Sequence, residues 1–69
     1  MDNQLDLIIA RKDIAFLTKI MEGYDNLGVV STVNAEEGLV TVHFTPGTEP
    51  MVRDIISNLP FAVKKIFPW

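Results

Sequence analysis

Reactive side chains are sparse in this 69-residue chain, and the densest group is Arg11-Lys12-Asp13. It stands just ahead of an apolar, periodic stretch that begins at Ile14. A helix opening there would present unpaired backbone N–H groups, which attract anions. Arg11 could fork onto a carboxylate or phosphate, with Lys12 adding charge. Asp13 also has a purely structural use, as a cap on the helix. Ser31 and His43 come next. A serine nucleophile needs a base, and His43 is the only histidine. The two do not form a triad-like pattern. His43 reads either as a strand residue on an exposed face or as a pH-sensitive contact between subunits. Glu36-Glu37 sits in a polar loop and lacks the ligand spacing of a calcium site. With no cysteine there is neither a thiol nucleophile nor a disulfide, and one histidine makes a structural zinc improbable. The glycines at 23, 28, 38 and 47 build no phosphate-binding loop or dinucleotide fingerprint. The expectation is therefore no catalytic residue, no metal site and no cofactor.

The elements that hold these residues follow from periodicity. Residues 5–10 read as a strand with Leu5, Leu7 and Ile9 on one face and Asp6, Ile8 and Ala10 on the other. Asp13 opens a helix whose stripe is Ile14, Leu17, Ile20, Met21 and Tyr24, widened by Phe16, and Gly23 with Asp25-Asn26 stops it. Residues 27–33 are β-branched and form a second strand. Residues 34–38 make a hairpin loop in which Gly38 is free to take a positive φ. Residues 39–44 return as a third strand, with Val40, Val42 and Phe44 facing the helices and Leu39, Thr41 and His43 facing away. After Pro46-Gly47, Thr48 caps a second helix with Pro50 in its first turn and a stripe of Val52, Ile55, Ile56 and Leu59. Pro60 ends it, and residues 61–67 form the last strand.

Strand, helix, strand, strand, helix, strand is the split βαβ, ferredoxin-like pattern of one α+β domain over residues 1–69. Right-handed crossovers put both helices on one face and give the antiparallel order 4-1-3-2. The rims are then the second and fourth strands. Lys64, Lys65 and Pro68 guard the fourth against edge pairing. The second has no charge and no proline, so Val29, Val30, Ser31, Thr32 and Val33 are expected to pair with the same strand of a second copy in a homodimer. A chain this short, without disulfides or metal, gains most from such a partner. The face with Ile8, Ala10, Leu39, Thr41 and His43 is a second place for a partner. Trp69, after Phe67 and Pro68, is expected to dock on its own domain or on a neighbour. A net charge of −3 argues against nucleic acid. No apolar run is long enough for a membrane, and the polar start lacks the pattern of a signal peptide, so a cytoplasmic location is expected.

Four stretches also suggest families. Residues 13–17 (Asp-Ile-Ala-Phe-Leu), 22–27 (Glu-Gly-Tyr-Asp-Asn-Leu), 30–33 (Val-Ser-Thr-Val) and 37–40 (Glu-Gly-Leu-Val) resemble a family of very short bacterial proteins known only as a domain of unknown function. That similarity runs through Leu59. The order of elements also resembles an ACT-type regulatory domain. The resemblance implies pairing through sheet edges and binding of an amino acid or small anion near the first turn. Arg11, Lys12, Asp13 and Ile14 would then border the ligand, with Ser31 or Thr32 nearby. ACT-type domains carry a glycine in this turn, where Ile14 and Ala15 follow Asp13 here. The expected function is a non-catalytic, homodimeric regulatory or ligand-binding module, or alternatively a module that binds another protein through its sheet edge or open face.

Overall fold

The computed structural model describes residues 3–24 and 28–68. Its elements are β1 (Asn3–Ile9), a 3-10 turn (Arg11–Asp13), α1 (Ile14–Glu22), β2 (Val29–Asn34), β3 (Leu39–Phe44), a second 3-10 turn (Pro46–Thr48), α2 (Glu49–Ser57) and β4 (Val63–Phe67). The four strands form one sheet in the order β2-β3-β1-β4, and every neighbouring pair is antiparallel. This is the α+β, ferredoxin-like arrangement that the sequence pattern implies.

Strand alternation decides which residues make the core. Leu5, Leu7 and Ile9 of β1 lie beside Val42 and Val40 of β3 on one face, and Phe44 continues that face. Leu17 and Met21 of α1 and Val52 and Ile56 of α2 close over them, so both helices cover the same side. Val30, Ile55, Leu59, Phe61 and Ile66 pack around the margin. Each fully buried aliphatic side chain contributes roughly 1.5–3 kcal/mol. This single layer of contacts is the main source of stability.

Several boundaries differ from the sequence expectation. β1 starts at Asn3 and stops at Ile9, so Ala10 leaves the sheet and leads into the 3-10 turn. β2 starts at Val29 and runs through Asn34, and Leu27, Asp25 and Asn26 lie outside the described residues. β4 starts at Val63, and Phe61 lies ahead of it with its ring centroid 5.7 Å from that of Phe16. Tyr24 falls beyond α1 and is exposed. Neither expected helix cap forms. Asp13 and Thr48 each end a 3-10 turn and already have helix-like backbone angles, with ψ of −5° and −2°. From that conformation a side-chain oxygen does not reach the next turn's N–H groups, as an extended N-cap residue does. Thr48 instead accepts the backbone N–H of Thr45 at 3.3 Å. Gly38 has φ of +74°, and a Cβ there would collide with the carbonyl oxygen of Ile9. The contact follows from Gly38 itself accepting the Ile9 N–H at 3.0 Å, which ties the hairpin loop to β1.

Candidate functional site

The exposed rim at β2 is built by position in the sheet, because only one of its sides meets another strand. Val29 to Thr32 pair with His43, Val42, Thr41 and Val40 of β3. The other side of the strand is covered by no described element. A bulge between Thr32 and Asn34 ends the regular register, so Val33 is an extra residue at the loop end. Val29 and Val33 are 65% and 60% exposed, and of the six strand residues only Val30 turns inward enough to be half-buried. No residue from Val29 to Asn34 is charged. The opposite rim differs in kind: Lys64 and Lys65 of β4 are exposed, Pro68 follows, and the Lys65 ammonium sits 5.4 Å from the centre of the Phe67 ring.

A groove of about 250 Å³ runs between α1 and the rim, lined by Thr18, Met21, Glu22, Gly28, Val29 and Val30. Gly28 shapes it. A Cβ at that position would stand 3.0 Å from the Met21 methyl and 3.1 Å from the His43 carbonyl oxygen, so any larger residue would make these neighbours give by a few tenths of an ångström. Thr18 turns its hydroxyl back to the Ile14 carbonyl at 3.1 Å. A second cleft of about 240 Å³ lies where the end of α1 meets the start of α2, between Tyr24, Pro50, Met51, Asp54 and Ile55. Neither lining stands out in the sequence, because each is assembled from segments that only the fold brings together. The tight Met21–Gly28 approach had one cue, a glycine at the entry of a β-branched strand.

The face of the sheet away from the helices carries Gln4, Asp6 and Ile8 of β1 opposite His43, Thr41 and Leu39 of β3. Thr41 is 6% exposed and donates its hydroxyl to the Asp6 carboxylate at 2.7 Å. Ser31 lies beyond Thr41 on β2, and Phe67 lies beyond Asp6 on β4. Ser31 and His43 therefore share this face but belong to different cross-strand pairs, and the carboxylate present serves Thr41.

The turn residues expected to border a ligand stand in one 3-10 turn running into α1, in different surroundings. Arg11 meets Glu36 of the hairpin loop at 3.4 Å, with both side chains largely exposed. Such a surface pair contributes at most about 1 kcal/mol. Lys12 is exposed, Asp13 is half-buried, and Ile14 packs on the core. Ser31 and Thr32 point to opposite faces, since their β3 partners are Thr41 on the open face and Val40 on the core face. The Glu36-Glu37 pair is divided as well, Glu36 facing Arg11 and Glu37 receiving the Asn34 side-chain amide at 3.3 Å. Among the described residues no three acidic, histidine or cysteine side chains gather where a metal ion could be held. Among the same residues no helix is long and apolar enough to cross a membrane.

These features define a small ferredoxin-like domain with one guarded and one unguarded sheet edge. Within that class the chain belongs to the family described as a domain of unknown function, DUF4911, which matches residues 7–63. No curated protein and no solved structure matches it.

Proposed function

We propose that this chain is a non-catalytic, homodimeric binding module of ACT-like design, joined by pairing β2 of one copy with β2 of another. The observation that carries the reading is the difference between the two sheet rims. The β2 rim is β-branched, uncharged, free of proline and exposed, while β4 carries Lys64, Lys65 and a following proline. An uncovered strand of the first kind presents a row of unpaired N–H and C=O groups, and a second copy satisfies them. The scattered placement of Ser31, His43 and Asp6 supports a binding role over catalysis. A small anion or amino acid held near Arg11, Lys12, Asp13 and Ile14 is the regulatory part of the reading, supported by exposed cationic charge beside the start of α1. A bacterial, cytoplasmic setting rests on the resemblance to very short bacterial proteins.

Sedimentation velocity across a concentration series tests the dimer. A shift from one chain of 7.7 kDa toward twice that mass is expected. A thermal-shift screen against amino acids and nucleotides tests the ligand, and the absence of any shift would leave only the dimeric scaffold.

A second reading has its own observation. Val29 and Phe67 are exposed apolar groups near opposite ends of the helix-free face. This favours another protein as partner across that face, and retention of a defined partner by the wild type but not by Phe67→Lys would support it.

A further inference from the structure

We propose that the outer groove between α1 and α2 docks an amphipathic helix of a partner protein, anchored by one lysine or arginine of that helix beside Tyr24 and Asp54. That surface is on the helix side of the sheet, separate from the edge of β2 and from the open face.

The two helices run antiparallel, and their ends mark the groove. Tyr24, just past the end of α1, shares the cleft of about 240 Å³ with Pro50 and Met51 at the start of α2. At the other end Phe16, in the first turn of α1, meets Phe61, beyond the end of α2. Phe16, Ile20 and Tyr24 follow one another at helical spacing along the α1 wall, and Met51 and Ile55 do so along α2. Phe16, Tyr24 and Met51 are 48%, 47% and 56% exposed, while Ile20, Ile55 and Phe61 are half-buried. Single exposed apolar residues are ordinary, but these form one strip along both helices, as an interaction surface does.

The chemistry of the cleft selects the occupant. Asp54 is the charged member of its lining. The Asp54 carboxylate accepts the Asn58 amide at 3.3 Å, and among the described residues no cation pairs with it. The Tyr24 ring lines the same cleft and offers a π face to a cation. Met51 and Ile55 suit the methylene stem of a lysine or arginine whose head reaches the carboxylate. Toward Phe16 and Phe61 the strip takes apolar residues of the same segment. Both walls are helices with internally paired backbones, so an extended segment would lay its own N–H and C=O groups there without partners. A helix arrives with those groups already paired. From Phe16 to Tyr24 the strip rises about 12 Å, which two apolar residues and a basic one spread over two turns of a partner helix match. A net charge of −3 sets the chain against an anionic membrane as the occupant.

Methyl-labelled methionine and isoleucine in the full chain report binding by NMR. The first probe is N-acetyl-arginine N-methylamide, with N-acetyl-citrulline N-methylamide as its uncharged isostere. The arginine probe is expected to shift Met51 and Ile55 saturably with a Kd of about 1–10 mM, and the citrulline probe to bind about fivefold more weakly or worse. Asp54→Asn is expected to abolish that difference and Tyr24→Leu to reduce it; both positions are exposed, so neither change disturbs the core. The second probe is a lactam-bridged helical peptide of about four turns, with leucines four and seven residues ahead of one arginine. It is expected to bind about tenfold more tightly than the blocked arginine and to shift Ile20 as well. Equal binding of the arginine and citrulline probes, or shifts confined to methyls away from the groove, overturns the cationic anchor. A peptide no tighter than the blocked arginine overturns the helical occupant. Shifts of Met51 and Ile55 that grow with protein concentration alone place a second copy in the groove, and shifts with phosphatidylglycerol vesicles but neither probe place a membrane there; either result overturns the proposal.

Discussion

The two rims of this sheet are made of strands of nearly equal length, and they treat the same physical problem in opposite ways. Both leave backbone N–H and C=O groups without a partner strand. β4 surrounds its groups with ammonium charge from Lys64 and Lys65 and is followed by Pro68. A second strand arriving there would have to desolvate those charges. β2 offers valine, serine and threonine, whose side chains suit a pleated neighbour. Both rims contain a register break, at Ile8–Ile9 in the β1–β4 pairing and at Thr32–Asn34 in the β2–β3 pairing. A bulge alone is therefore not what separates them. Side-chain charge is the difference, and it can be moved from one rim to the other.

The largest effect is expected from Gly38→Ala, which tests whether β2 is held as a rim at all. The residue must leave its positive φ or collide with Ile9, and the hairpin carrying β2 loses its tie to β1. A loss of about 3 kcal/mol or more in chemical denaturation is expected. A change under about 1 kcal/mol would mean that the hairpin is not anchored through that glycine. Giving β2 the guard of β4, by Val29→Lys with Ser31→Lys, is expected to raise the dimer Kd about 100-fold, or about 2.7 kcal/mol. Both positions are exposed, so the monomer should lose no more than about 0.5 kcal/mol. Removing the guard from β4, by Lys64→Thr with Lys65→Thr, should create a second sticky rim. Light scattering is expected to show species larger than a dimer, and an unchanged size distribution would mean that the lysines do not protect the rim. The smallest effect belongs to Thr41→Val on the open face, which leaves the rims alone and removes the donor to Asp6. A loss of about 1 kcal/mol in stability, with no change in association, is expected.

The parts of the fold written as alternation were readable from the letters. Leu5, Leu7 and Ile9, then Val40, Val42 and Phe44, fixed the core face, and the order of elements fixed which strands are rims. Helix starts were less readable, because Asp13 and Thr48 look like caps whether the chain enters the helix extended or through a 3-10 turn. Only backbone angles separate the two cases. The candidate surfaces divide in the same way. The uncharged rim is a property of one continuous segment and could be named in advance. The groove joins Thr18 and Glu22 to Gly28 and Val30 across a helix–strand connection, and the Asp6–Thr41 bond spans 35 residues. Such pairings depend on register and layer packing, which no local pattern encodes. The Arg11 turn is legible for the converse reason: its charges are adjacent in sequence, while the contact of Arg11 with Glu36 spans 25 residues and is set by the fold.

Residue-resolved amide hydrogen exchange at low and high protein concentration compares the rims within one experiment. The account predicts that protection rises with concentration at residues 29–32 and stays constant at 63–67. A rise at 63–67, or no concentration dependence on either rim, would contradict it.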